Sequence, residues 1–350
     1  MSFKQILIRS ANWIGDAVMT TPAVTGLAEL YPGARITVLA RSWVAPVFAG
    51  HPAVSEVVTD NAGTRPWAGS MLRRALALRG RGFDLAVMLP NSFESALVPF
   101  LARIPRRIGY AADARSILLT DPVPAPEDKG ERHEVYYYLG LVDYLRGVHG
   151  FGSGVAGLAA PSLFLDVPEE GAQGAAHIVS SLGVEKNILI GFNPGAAYGP
   201  AKCWPWERFV SLGKALIKDS VSRRILIFGT KKEEPVAEKI RVGIGEKVCN
   251  LAGKTTLSEA MGLIRMLGLL VTNDSGLMHV GAALGTRLVA IFGSTNPVAT
   301  GPWSKGAVVI RHGLKCSPCL KRTCPGGFEC MTGIGVEEVM DACEKGLSDL

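Results

Sequence analysis

The chain has 350 residues, 48% hydrophobic and 19% charged, with a mean hydropathy of +0.23 and a formal net charge of +6. That length favours two domains over one, and the apolar content excludes a disordered or fibrous chain. No apolar run reaches the ~18–20 residues that span a bilayer, since even 261–271 is interrupted by Arg265.

In chain order, residues 3–9 read as a short buried strand. Their apolar stretch is only three residues between charges, too short for a signal-peptide core, so the protein is expected in the cytoplasm. Residues 16–31 then read as a helix, 35–41 as a strand, 54–59 as another and 85–90 as a further one. Strands alternating with helices imply βαβ units and a largely parallel sheet. Between Arg65 and Arg115 stand nine arginines and no lysine, set against Asp84, Glu94 and Asp113. An anionic partner on that stretch is one expectation, and a solvated face with a few helix-capping arginines is the other.

Residues 146–161 are glycine-rich and end in proline, which suits an irregular loop near a domain boundary. Strands then recur at 187–192, 224–229, 269–272 and 288–292. Two α/β domains of similar size follow, divided at 170/171, with the second running to 335 and a C-terminal helix, 336–350, placed to pack back on the first. Open parallel sheets bind ligands beyond the carboxyl ends of their strands, so a cleft between the domains is the expected working site.

Three segments carry chemistry. After the first strand, Gly15 permits a tight turn and Asp16 stands at the start of the next helix, where it is either a reactive carboxylate or simply an N-cap. The loop after residue 192, Asn193-Pro-Gly-Ala-Ala-Tyr-Gly-Pro-Ala-Lys202, lets backbone approach a ligand and offers one lysine to a phosphate, although the Gly-Lys-Ser/Thr order of a P-loop is absent. The third, Thr272-Asn-Asp274-Ser275-Gly276-Leu-Met-His279, is a strand, a turn and a helix opening. Its free backbone N–H groups suit a diphosphate, with His279 one turn in, facing the ligand or satisfied in the core. The turn 292–297 repeats this geometry.

Gly15-Asp16, Lys202-Cys-Trp-Pro, the 272–279 block and Phe-Gly-Ser-Thr at 292–295 together resemble glycosyltransferase family 9 over nearly the whole chain. The resemblance implies the GT-B fold, α/β with two facing Rossmann-like domains of parallel sheets: an N-terminal acceptor-binding domain and a C-terminal donor-binding one. It implies inverting transfer of L-glycero-D-manno-heptose from ADP-L-glycero-β-D-manno-heptose to the heptosyl-Kdo2-lipid A core of lipopolysaccharide. Asp16 matches the family's general base and Lys202 its diphosphate lysine. Asp274, Ser275, Gly276 and His279 match the block that holds donor sugar and phosphates. Glu233 lies near the ribose-binding acid, with Glu234 fitting nearly as well, and Ala196 and Ala197 replace hydroxyl residues of some relatives.

A carboxylate base suits a weak sugar nucleophile, and a lysine with a helix N-terminus suits departing ADP, so no cofactor or metal is required. No Asp-x-Asp metal motif occurs. The acceptor is an anionic glycolipid at the inner membrane face, with Arg106 and Arg107 as its expected contacts and peripheral membrane association. Nucleic acid is not an expected partner. The alternatives are a family 9 transferase with another acceptor or an NDP-sugar epimerase on the same fold; the absence of G-x-G-x-x-G after the first strand argues against an oxidoreductase. Cys316, Cys319, Cys324 and Cys330, spaced C-x2-C-x4-C-x5-C, are either a zinc site or reduced thiols.

Overall fold

The apolar runs become strands buried on both faces in the computed structural model, which describes residues 3–60, 67–149, 161–184, 188–218, 220 and 222–348. The chain divides into two compact units, Met1–Asp166 and Val167–Leu350. The glycine-rich 150–160 segment, expected at the boundary, lies outside the described residues, as does Arg65.

In the first unit the strands are β1 (Gln5–Arg9), β2 (Arg35–Ala40), β3 (Glu56–Thr59), β4 (Leu85–Met88), β5 (Arg106–Tyr110) and β6 (Asp121–Val123). They form one parallel sheet in the order β3-β2-β1-β4-β5-β6. Ile6, Leu7 and Ile8 on the central strand are fully buried. The helix expected over 16–31 is two, Ile14–Met19 and Thr21–Leu30. Pro22 has no N–H to continue the ladder, and the Thr21 hydroxyl donates instead to the Val18 carbonyl at 2.8 Å. Gly15 accordingly lies inside the first of these helices and not in a turn. Gly26 lets the Glu134–Val148 helix approach, since a Cβ there would lie 3.2 Å from Val142.

The second unit repeats the plan with β7 (Ile188–Asn193), β8 (Arg223–Ile227), β9 (Val248–Asn250), β10 (Leu269–Asn273), β11 (Leu288–Phe292) and β12 (Ala307–Arg311), all parallel, in the order β12-β11-β10-β7-β8-β9. The C-terminal helix, Val336–Leu347, corrects the sequence expectation. Its stripe of Val339, Ala342, Cys343 and Leu347 is buried in the core of the second unit with Phe209 and Leu212, and Arg223 pairs with Glu344 at 2.7 Å. The i, i+3, i+4 spacing of that stripe gives the helix one apolar face, and the second sheet takes it.

Candidate active site

In the first unit the carboxyl ends of β1, β2 and β3 lead into Arg9, Arg41 and Asp60. Asp60 is fully buried and is shared by three guanidinium groups, with Arg74 at 2.6 Å, Arg41 at 3.4 Å and Arg9 at 3.7 Å. Glu94 takes Arg74 at 2.9 Å and Arg41 at 3.3 Å. Burial pulls the Arg9 pKa down to about 10, outweighing the opposing Asp60 charge. Arg9 also donates to the Asn12 side chain at 2.9 Å, which fixes the loop between β1 and the next helix.

Asp16 is the third residue of that helix, whose N-cap position belongs to Trp13, with no side-chain capping bond. The N-cap alternative for Asp16 is therefore set aside. The Tyr138 hydroxyl, from the Glu134–Val148 helix, donates to Asp16 Oδ1 at 3.1 Å. Burial and then the Asp16 charge hold the Tyr138 phenol well above its ordinary pKa, so it stays a donor. Glu134 is also raised, first by burial and, less strongly, by Asp16, against the opposing Lys129 charge.

Arg106 and Arg107 are not brought to Asp16. They open β5, in register with Leu85 and Ala86 at the start of β4, whereas Asp16 follows the carboxyl end of β1. Arg106 is held by Asp121 at 2.5 Å, and Arg107 donates to the carbonyls of Leu118, at 2.7 Å, and Ile104. Burial lowers the Arg107 pKa. Within the arginine-rich stretch Arg73, Arg79 and Arg103 are exposed, while most of the other described arginines are held by protein partners. Besides Arg106 and Arg107, Arg74 belongs to the Asp60 cluster, Arg81 pairs with Glu56 at 2.7 Å, and the fully buried Arg115 donates to Tyr110 O and Ser95 Oγ, both at 2.9 Å.

In the second unit the loops after β7, β8, β10 and β11 share one sheet edge. Lys202 Nζ and the Thr295 hydroxyl each lie 2.6 Å from Asp274 Oδ2, and Asp274 is buried. The Lys202 ammonium also stands over the Tyr198 ring, 4.8 Å from its centroid. Ser275 is the extended N-cap of the helix Gly276–Ala283, and its hydroxyl accepts from Asn193 Nδ2 at 2.5 Å. Asn273 ties both ends of the lysine loop, donating to Pro194 O at 2.6 Å and accepting from Trp204 N at 3.1 Å. Gly199, at φ 141°, makes the sharp turn of that loop against the Arg322 carbonyl, 3.0 Å from where a Cβ would lie. His279 is buried one turn into the helix.

Glu233 and Glu234, equivalent by spacing, diverge in space. Glu233 Oε2 accepts from Thr230 N at 2.6 Å, and its other oxygen lies where a Cβ on Gly195 would stand. Glu234 turns away to Lys231, at 2.5 Å. Ala196 and Ala197 follow Gly195 in the lysine loop and bring it no hydroxyl.

The four clustered cysteines line one cavity of about 70 Å³ beside Ser294 and Ala201. Cys330 is raised above the ordinary thiol value by burial first and then by Cys319, Cys324 and Cys316. All seven cysteines are free thiols, and among the described residues no group of three or more His, Cys, Asp or Glu side chains is arranged to hold a metal ion. No helix among the described residues is long and apolar enough to cross a membrane.

Both units are Rossmann-like, and the second places a lysine beside a helix amino end at the carboxyl edge of its sheet, a setting that suits a phosphate group. The model of "Glycosyltransferase family 9 (heptosyltransferase)" matches residues 71–328. The chain is 37% identical over 316 residues to the lipooligosaccharide heptosyltransferase 2 of Haemophilus ducreyi, covering 88% of each. It is 36% identical over 313 residues to the lipopolysaccharide heptosyltransferase 2 of Escherichia coli strain K12, again over 88% of each. The solved structure of E. coli ADP-heptose lps heptosyltransferase II superimposes with a TM-score of 0.82 at 32% identity, covering 99% of both chains. The chain belongs to glycosyltransferase family 9.

Proposed function

We propose that the protein transfers L-glycero-D-manno-heptose from ADP-L-glycero-β-D-manno-heptose to heptosyl-Kdo2-lipid A, the heptosyltransferase II step of lipopolysaccharide core assembly. The observation that carries the reading is the Lys202–Asp274 pair beside the amino end of the Gly276–Ala283 helix. A cation and the first N–H groups of a helix, which have no partner within the helix, meet there, which is what a departing diphosphate requires. Glu233 faces the same loop and is the acid for the ribose hydroxyls.

The acceptor hydroxyl is a poor nucleophile at neutral pH, so its proton must leave as the oxygen attacks the anomeric carbon. Asp16 takes that proton, oriented by the Tyr138 hydroxyl. The oxygen–carbon bond forms on the face opposite the ADP oxygen, the bond to ADP breaks, and the β-linked donor yields an α-linked product. The extra charge on ADP is met by Lys202 and the helix amino end. The acceptor is a membrane glycolipid, so the enzyme works as a peripheral protein at the cytoplasmic face.

Asp16→Asn tests the mechanism. The amide keeps the shape and can still accept from Tyr138, but it cannot take the proton, so kcat should fall by about 10²–10⁴-fold in a folded protein. Near-parental turnover would remove Asp16 from the reaction.

A further inference from the structure

Two large aromatic side chains stand in solvent beside the start of the helix that carries Asp16. Trp13 is 61% exposed and Trp43 is 56% exposed, whereas Trp204 is buried at 1%. Trp13 is the residue immediately before the helix that carries Asp16, in extended conformation. Trp43 follows β2 and donates its indole N–H to the Asn12 carbonyl at 3.0 Å. Its ring edge is thus fixed to the backbone next to Trp13. Asn12 is held in turn by the buried Arg9, so the loop bearing Trp13 is anchored from beneath and Trp43 is tied to it. The Arg41 guanidinium lies 6.0 Å from the Trp43 ring centroid and is itself fixed by Asp60 and Glu94.

Covering indole surface is favourable, so a ligand that packs on these two exposed rings gains from the burial. The chemistry of these rings selects the ligand. A pyranose presents a face of polarised C–H groups, which meets the negative face of an indole while the ring hydroxyls stay free for hydrogen bonds. A rigid ring on an anchored loop loses little conformational freedom on binding.

We infer that Trp13 and Trp43 form the platform on which a pyranose ring of the acceptor saccharide stacks, holding its nucleophilic hydroxyl beside Asp16. This rests on the heptosyl-transfer reading for the identity of the saccharide. It replaces Arg106 and Arg107, at the opposite edge of the sheet, as the acceptor contact.

The test combines kinetics with protection. With ADP-heptose and deacylated heptosyl-Kdo2-lipid A, Trp13→Ala and Trp43→Ala should each raise the acceptor KM by about ten- to hundredfold, with the donor KM unchanged. Trp43→Phe, which keeps an aromatic face, should recover most of the loss. Acceptor KM values within twofold of parent in both folded alanine variants overturn the platform, and so does an equal rise in donor KM. Hydroxyl-radical footprinting of the unaltered protein needs no variant and no turnover. The deacylated acceptor should protect Trp13 and Trp43 where ADP does not, and unprotected rings at saturating acceptor overturn the inference. Protection without heptose transfer would reject the transfer reading and leave the platform standing. Transfer with unprotected rings would do the reverse.

Discussion

Replacing Lys202 removes two things at once, and the structure allows them to be separated. Its ammonium lies 2.6 Å from Asp274 Oδ2, with the two side chains 14% and 4% exposed. Lys202→Met leaves a buried carboxylate facing the Thr295 hydroxyl, and breaking a buried pair from one side costs about 3–5 kcal/mol of stability. If Lys202 meets the donor as proposed, the same change also removes a charge-assisted hydrogen bond to the ADP diphosphate, worth about 1.5–3 kcal/mol, or about 10- to 150-fold in affinity. The double variant Lys202→Met with Asp274→Asn discards both charges at nearly constant shape. Calorimetric melting should show the second unit strongly destabilised in the single variant and largely restored in the double one. Titration calorimetry should show ADP affinity reduced in both. A double variant that regains stability and binds ADP like the parent would refute the assignment of Lys202 to the donor.

Tyr138→Phe deletes the hydroxyl that stabilises the ionised Asp16 carboxylate, so the acid limb of the kcat/KM profile should move to higher pH. An unmoved limb separates Tyr138 from the reaction. Gly195→Ala puts a methyl where the Glu233 carboxylate stands, so it should weaken ADP binding about tenfold, matching Glu233→Gln, while the melting temperature holds. ADP affinity unaffected by either change would exclude Glu233 from the ribose. Asp143 has both carboxylate oxygens buried with no hydrogen-bond partner among the described residues. Burial raises its pKa against the opposing charges of Arg146 and Arg132. A folded value above the unfolded one means that ionisation destabilises the protein as pH rises through it. Asp143→Asn should therefore melt higher at neutral pH, and the gain should vanish in acid, where both side chains are neutral. A gain independent of pH would show that the charge is not its cause.

The central strands were legible in the sequence because a parallel strand covered on both faces is a continuous apolar run, as in 6–8, 85–88 and 288–292. Among the less legible strands, β5 opens on Arg106 and Arg107, whose charges resemble a solvated loop until Asp121 and the Leu118 carbonyl are seen to hold them. The grouping of Lys202, Asp274 and Ser275 at one sheet edge was legible because each follows a strand in a run of small residues, a local property. Glu233 and Glu234 could not be separated locally, since their difference is the Gly195 backbone nearly forty residues away. Tyr138, 122 residues from Asp16, carried no signal at all. Trp13 and Trp43 carried a weak one, as tryptophans flanking polar loops, and only their exposure separates them from core residues such as Trp204.

The most direct measurement follows the fate of the donor. ADP-L-glycero-β-D-manno-heptose is incubated with the enzyme, with and without heptosyl-Kdo2-lipid A, and the products are weighed and their anomeric linkage assigned by NMR. The expected result is an acceptor heavier by one heptosyl residue, α-linked, with one ADP released per transfer and an intact donor when acceptor is absent. A β-linked product would contradict the direct attack assisted by Asp16, and an epimerised or hydrolysed nucleotide sugar formed without acceptor would contradict the transferase reading itself.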